Sequence, residues 1–440
     1  LAEEAEIGST GYSKIVGGMM AFLSIFSELF RGGVGNNLLK KGGAMVFWQV
    51  VTLVLTFVTT VWIARCLGPQ ELGSSGFILA TGSQILLLIT VCPNPYAVRY
   101  LKDNSISNDA ISEILVSRAL TSILYIVILG ILLISGVVPR SWSQLVLLGL
   151  FVPVLITFQP FWLHQAQQNQ TAQYKSSAII AASAFVYTIG FIRPNDLAKE
   201  DIIARLVSLV VGVGMAWVFA NKGNPLVFIK AKHVPRALTL IWESRILFIT
   251  QIVIYIYVGL EIPLLGYLVA VEELGLYRSA TQLAMAVNSI AVIAPILYYP
   301  KFIEWQKKSK VLLWDYQLRI FAGCLILVVP LCFFVLVAGP RIFLFVYGEN
   351  FENAGLPFSL LVCSKLVSLL GGIFAWGLWA RSKDLLMLNI FICVAVLSLT
   401  FNIWMIPRHG MLAASTVNLF SQSFILIVAF SFALKMRRDD

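Results

Sequence analysis

The stretch LRIFAGCLILVVPLCFFVLVA, residues 318–338, carries one charge, Arg319, at its start. As a helix rising 1.5 Å per residue it reaches about 30 Å, the thickness of a bilayer's hydrocarbon core. No water is available there, so the backbone must satisfy its own hydrogen bonds, as a helix or a closed barrel. Barrel strands are about ten residues long and alternate apolar with polar. This run is continuous, so it reads as a membrane-spanning helix. Comparable runs lie near 44–64, 74–95, 118–138, 144–163, 177–193, 202–220, 243–262, 275–299, 356–380, 384–406 and 411–434. The fifth, ending at Arg193-Pro194, is the shortest, and Ile262 to Val271 reads as a loop or helix extension.

Composition agrees. Of 440 residues, 59% are hydrophobic and 12% charged, against about 45–50% and about 25% in soluble domains. The chain lacks the polar surface of a water-soluble globule. A net charge of +10 suggests nucleic acid in a soluble protein. Here the basic residues sit in short loops, where they set membrane orientation. Twenty-three Lys and Arg fall on the side holding both termini and six (Arg65, Arg140, Arg193, Lys199, Arg341 and Arg408) on the other. The positive-inside rule then places both termini in the cytoplasm. Cys66, Cys92, Cys324, Cys332, Cys363 and Cys393 form no CxxC pair and read as small buried apolar residues. His164, His233 and His409 are too scattered for a metal cluster, and no nucleotide-binding P-loop is present, so neither metal nor cofactor is expected.

The organisation expected is an N-terminal segment (1–40), a six-helix bundle (41–220), a cytoplasmic linker (221–242) and a second six-helix bundle (243–440). The chain begins with Leu1, and Glu3, Glu4 and Glu6 argue against the basic start of a signal peptide. Ile15 to Phe30 reads either as an interfacial helix or as a segment foreign to the protein. Between the bundles there is a faint echo. Glu71-Leu72-Gly73 follows the first span and Glu273-Leu274-Gly275 the seventh. Six spans per half make this a parallel repeat about an axis along the membrane normal.

Ile63 to Phe77, IARCLGPQELGSSGF, resembles the turn between the first two spans of the polysaccharide flippase family, the Wzx-type O-antigen translocases. That family belongs to the multidrug/oligosaccharidyl-lipid/polysaccharide exporter superfamily. Arg99 stands where that family often has a basic residue. Phe161 to Gln165 resembles its aromatic-aromatic-Gln segment, with His164 replacing an aromatic. Val271 to Tyr277 and Val346 to Ala354 resemble the segments opening spans eight and ten. Ile406 to Ala414 resembles the one before span twelve, with Leu412 and Ala413 where glycine is usual. The resemblance runs from about residue 40 to the C-terminus. It implies a V-shaped pair of six-helix bundles about a central cavity in the bacterial inner membrane. The substrate implied is an undecaprenyl-pyrophosphate-linked oligosaccharide moved to the periplasmic leaflet, with a polysaccharide polymerase and chain-length proteins as further partners.

Moving a pyrophosphate through hydrocarbon requires cationic groups facing a wet cavity. Lys365 lies about ten residues into span ten, roughly 15 Å along the helix, and is the most exceptional charge in the chain. Arg205 and Arg278 lie just inside the periplasmic ends of spans six and eight, to line an exit or reach the interface. Arg99, Arg118 and Arg245 lie at cytoplasmic span ends, where orientation alone also accounts for them. Glu261, beside Pro263, is either a coupling carboxylate for a proton or sodium ion or a solvated one, the latter preferred. Gln49, Gln84, Gln159, Asn288, Asn389, Asn402 and Asn418 suit sugar hydroxyls or, for most, helix–helix hydrogen bonds. Pro93, Pro95, Pro153, Pro160, Pro295 and Pro330 would bend their spans.

Two other classes compete. A cation-coupled multidrug-type exporter of the same superfamily commonly relies on an acidic residue in the first span, and none lies between Ala44 and Ala64. A polyprenyl-linked glycosyltransferase or polymerase needs a sizeable catalytic loop. Here the loops are short, and Glu71, Asp196, Glu200 and Asp201 form no evident catalytic pair.

Overall fold

The computed structural model describes residues 36–89, 94–103, 106–135, 143–167, 169–221, 231–291, 302, 305–306, 308–381 and 383–438. Within them the chain is helical, with no strand. The N-terminal half contains α1 (Asn36–Ile89), α2 (Asn94–Asp103), α3 (Asn108–Ile134), α4 (Ser143–Thr157), α5 (Phe161–Ala166), α6 (Gln170–Phe191) and α7 (Ala198–Asn221). A 3-10 turn, Ala231–His233, leads to α8 (Val234–Glu243), α9 (Arg245–Gly259), α10 (Glu261–Leu268) and α11 (Val271–Ala291). Then come α12 (Lys310–Tyr347), a 3-10 turn Glu349–Ala354, α13 (Gly355–Ala380) and α14 (Asp384–Arg438).

Among the described residues, six helical stretches are long and apolar enough to cross a membrane: Gly43–Gln84, Asn108–Ile131, Ala198–Ala220, Val311–Tyr347, Glu349–Ala380 and Leu385–Arg437. Their outer surface is apolar, with Ile131, Phe333, Phe345 and Leu327 more than half exposed. Their contacts are lined by small residues, including Ala64, Ala204, Ala280, Ala284, Ala413 and Ala414. This is how helices pack where lipid is as apolar as the protein and close backbone approach decides association.

Two of the long helices are each a pair folded back at a glycine. In α1 the backbone leaves the helix only at Gly68 (φ 74°), followed by Pro69. In α14 it does so at Gly410 (φ 53°), three residues after Pro407. Both glycines occupy the left-handed region, where a β-carbon is costly, and the turn needs no separate loop. A helix of 38 residues, α12, overshoots the expected 318–338 span at both ends and passes through Pro330 and Pro340 without interruption.

Other expectations are corrected. The span expected at 144–163 stops at Thr157, and Pro160 caps the separate α5. Of the two readings left open for Ile262 to Val271, the helical extension is the one found: α10 runs from Glu261 to Leu268, directly after α9. The fifth span, the shortest by hydropathy, belongs to a helix beginning at Gln170. Its first turns are polar enough to be invisible to hydropathy. Residues 1–35, Cys92, Pro93, Arg140, Pro295 and the end of the 275–299 span lie outside the described residues.

In the packing, α1 is the pivot, lying against α6 in its own half and α11 in the other. The C-terminal half centres on α13, which packs on α11, α12 and α14. Replacing Gly410 by Ala would force a β-carbon into a left-handed conformation and against the Glu273 carboxylate. A loss of about 1–3 kcal/mol is expected, read as a lower thermal midpoint in detergent.

Candidate functional site

The two halves meet most closely where α1, just after its Gly68 turn, crosses the start of α11. A β-carbon on Gly73 would run into the Val271 carbonyl oxygen, and one on Gly275 into the Pro69 carbonyl oxygen. The helices therefore touch backbone to backbone. Leu72 and Leu274, beside these glycines, are buried on either side.

A buried ionic cluster sits next to this crossing. From α11, Arg278 Nη1 donates to the Leu72 carbonyl (2.7 Å) and to Ser75 Oγ (2.5 Å), both on α1. Its Nη2 pairs with Asp201 Oδ2 on α7 at 2.8 Å. Ser75 Oγ donates to the same Asp201 oxygen at 2.8 Å, and Arg205 Nε pairs with Asp201 Oδ1 at 3.0 Å. Gly76 leaves room for the Arg278 stem. At the same end of the molecule, Arg65 donates to the Phe345 and Val346 carbonyls, both at 2.8 Å, tying α1 to the last turn of α12. Arg278 and Arg205 thus share one carboxylate but differ in access. The Arg278 side chain is 6% exposed and that of Arg205 38%. Of the two, Arg205 lines a cavity and Arg278 is enclosed within the cluster. Asp201, the partner of both, was not singled out in the sequence, although its i,i+4 spacing to Arg205 was readable.

The two Glu-Leu-Gly segments have matching contacts. Glu71 Oε2 accepts from the Ala198 amide at 2.8 Å, at the first turn of α7. Glu273 Oε1 accepts from the Met411 amide at 2.7 Å, where α14 restarts after Gly410. Each carboxylate faces the N-terminus of the last long helical segment in its own half, satisfying an otherwise orphan amide and complementing the helix dipole.

In the C-terminal half, Glu261 of α10 is buried, correcting its preferred reading as a solvated group. Asn418 Nδ2 donates to its Oε1 (2.5 Å), and the Tyr277 hydroxyl donates to its Oε2. Ser364 Oγ donates in turn to Asn418 Oδ1 at 2.5 Å. Lys365, one residue on in α13, is half-buried, and Glu261 is the carboxylate its charge feels. Four helices thereby converge on one carboxylate with a lysine nearby.

The remaining expected cations lie elsewhere. Arg118 is buried, bonded to the Thr157 carbonyl and Asn94 Oδ1, both at 2.6 Å, and lies over the Trp162 ring. It closes the end of α4. Arg99 is exposed. Arg245 is exposed and stacks on Trp242, 4.7 Å from the ring centroid. Glu243, at the end of α8, accepts from Tyr96 and pairs with Arg236, which together hold its carboxyl below the usual range. Among the in-span amides, Gln84 donates to the Gly259 carbonyl and Asn402 to Ser398, so both serve packing. Gln49 and Gln159 face cavities.

Two cavities flank the same face of α1. One, about 350 Å³, lies inside the N-terminal half among α1, α4, α6 and α7, with Asp201 and Arg205 in its wall. The other, about 140 Å³, lies between α1 and α11 and reaches Gln282 and Tyr347. Thr52, Thr56 and Thr60 line both. This i, i+4, i+8 stripe of hydroxyls in an apolar run was legible as one helical face, though the sequence reading passed over it.

Long apolar helices around hydroxyl-lined cavities, with the two halves touching at one end, define a multi-pass helical membrane protein. The solved structures agree on the fold. A lipid II flippase, MurJ, in an inward closed conformation superposes with a TM-score of 0.68 at 14% identity, covering 89% of this chain and 87% of that one. An inward-facing multidrug resistance MATE family transporter of the MOP superfamily gives 0.61 at 12% identity, covering 88% and 98%. The model of the family described as "Polysaccharide biosynthesis protein" matches residues 38–306, and the chain belongs to that family. A protein of Escherichia coli (strain K12) described as "Putative O-antigen transporter" is 23% identical over 277 residues. That match covers 61% of this chain and 66% of the relative, just under two thirds of its length.

Asp201→Asn leaves the buried Arg278 guanidinium without its counter-charge. A destabilisation of about 3–5 kcal/mol is expected, most of it recovered by pairing Asp201→Leu with Arg278→Met. The thermal midpoints of the single and double variants in detergent measure this.

Proposed function

We propose that this chain is a flippase for an undecaprenyl-pyrophosphate-linked oligosaccharide, an O-antigen or related polysaccharide repeat unit. It carries the headgroup from the cytoplasmic to the periplasmic leaflet by alternating access. In this reading about twelve spans form two six-helix bundles, residues 41–220 and 243–440, joined by a cytoplasmic linker at 221–242. Both termini face the cytoplasm, as the 23-to-6 distribution of Lys and Arg supports. The matched contacts of Glu71 and Glu273, with Gly73 against Gly275 between them, support a pseudo-two-fold axis along the membrane normal.

The observation that carries the reading is the threonine-lined cleft between α1 and α11, beside an end held shut by the glycine crossing and the Arg278 cluster. A glycan needs hydroxyl and amide partners while it crosses. Thr52, Thr56, Thr60, Gln49 and Gln282 supply them. The pyrophosphate needs a cation that no protein carboxylate already neutralises. Lys365 is half-buried and makes no ion pair among the described residues. In the first span the polar groups of the described residues are hydroxyls and amides rather than carboxylates, which favours this reading over a cation-coupled drug exporter. Opening toward the periplasm separates α1 from α11 and breaks the Asp201–Arg278 pair, while each capping glutamate keeps its helix within its own half.

Two measurements test this. The protein is placed in liposomes carrying fluorescent undecaprenyl-pyrophosphate oligosaccharide, and exchange between leaflets is followed. Wild type is expected to accelerate exchange, and Lys365→Ala to reduce it at least about tenfold with folding intact, since an unneutralised charge in hydrocarbon costs several kcal/mol. Exchange unchanged in the variant removes Lys365 from the mechanism, and no protein-dependent exchange removes the flippase. Glu261 is the proposed coupling carboxylate. Glu261→Gln retains hydrogen-bonding groups but not the charge, and is expected to make exchange insensitive to an imposed proton or sodium gradient. A gradient response equal to wild type excludes that role.

A further inference from the structure

The larger cavity lies inside the N-terminal half, not between the halves, and alternating access alone assigns it no task. Its walls have a definite chemistry. The Thr52 hydroxyl donates to the Trp48 carbonyl (2.8 Å), Thr59 to Leu55 (2.7 Å) and Thr60 to Thr56 (2.7 Å). Ser177 likewise donates to Gln173 (3.2 Å) and Ser208 to the Arg205 carbonyl (2.9 Å). These five hydroxyl hydrogens are committed to their own helices, so these side chains offer a guest lone pairs, while Thr56 and the Gln159 amide in the same wall keep donors of their own. Such a wall accepts from a ligand rich in hydroxyl donors.

One part of the wall is cationic. Asp201 is shared by two guanidiniums, so the cluster of Asp201, Arg205 and Arg278 carries a net positive charge. Arg205 gives Asp201 only its Nε, and no described residue accepts from its terminal nitrogens. Arg205 lines the cavity, and its side chain is 38% exposed. A guanidinium with both terminal nitrogens unused matches a planar carboxylate. Between the hydroxyls and the arginine, Ile63, Val152, Ile180 and Leu209 supply apolar surface suited to the C–H face of a ring. At about 350 Å³ the cavity is at the small end of ligand pockets, too small for a whole repeat unit. It shares Thr52, Thr56 and Thr60 with the cleft where the glycan is proposed to lie.

We propose that this cavity is a subsite for one acidic sugar of the transported glycan, its carboxylate on Arg205 and its hydroxyls donating to the threonine stripe. The assignment rests on the flippase reading and names the substrate class more narrowly: repeat units bearing a carboxylated sugar.

The test uses two fluorescent undecaprenyl-pyrophosphate oligosaccharides identical except for a terminal glucuronate in one and glucose in the other. Leaflet exchange in liposomes is measured for both with wild type, Arg205→Gln and Arg205→Lys. The readout is the ratio of the two rates within each variant. Wild type is expected to favour the glucuronate form about tenfold, the scale of one charge-assisted pairing. Arg205→Gln is expected to bring the ratio to about one, and Arg205→Lys to keep part of the preference as a point charge. No preference in wild type, or a preference that survives Arg205→Gln, overturns the subsite. If wild type exchanges both forms equally, the subsite fails and the flippase stands. If it exchanges neither, both fail.

Discussion

Where α1 crosses α11, two glycines remove the side chains that would hold the helices apart, and the rest of the molecule is arranged around that approach. In hydrocarbon, helix association gains little from excluding lipid, so the distance between backbones matters most. Gly73 and Gly275 bring them into contact, and the groups needing that proximity gather beside them. Arg278 can reach across to Leu72, Ser75 and Asp201 only because the crossing is this tight. The cleft lined by Thr52, Thr56 and Thr60 lies farther along the same two helices.

The charges of this protein divide by what they are asked to do. Arg118 and Arg278 give guanidinium donors to carbonyls, a side-chain amide or a carboxylate on other helices, and so hold helices in place. Arg205 and Lys365 do not. One lines a cavity with its terminal nitrogens unused, and the other stands near the hydrogen-bonded Glu261 without pairing to it. Burial of an ion pair contributes little stability in itself, whereas stripping one partner is severe. The Asp201 cluster is therefore better understood as setting which arrangement of the halves is allowed than as strengthening the fold.

Much of the helix pattern was legible because long apolar runs leave few alternatives, and the turns at Gly68 and Gly410 are flagged by their neighbouring prolines. The misjudged boundaries were those where polarity and helicity part company. The first turns of α6 are polar yet helical, and α4 stops at Thr157 within an apolar run expected to continue to Leu163. The site was less legible. Glu261 read as solvated because its position suggested a span end. Its burial depends on Tyr277, 16 residues away, and Asn418, 157 away. The Asp201–Arg278 pair spans 77 residues, a distance over which no helical period operates. The two glutamates of the Glu-Leu-Gly echo each accept from an amide at the start of a helical segment more than a hundred residues away, which three letters do not convey.

The glycine crossing also bears on what else passes through the membrane. The flippase proposed above, with a wet path for a sugar, must not short-circuit the ion gradients that energise the cell. Polar side chains at a constriction can string together waters, and such a file conducts protons. Between Gly73 and Gly275 there is peptide backbone, with no side chain and no space for a solvent molecule. At that point the contact is backbone alone, and the ionisable groups that help hold this end together, Arg278 and Asp201, stand beside it rather than in it.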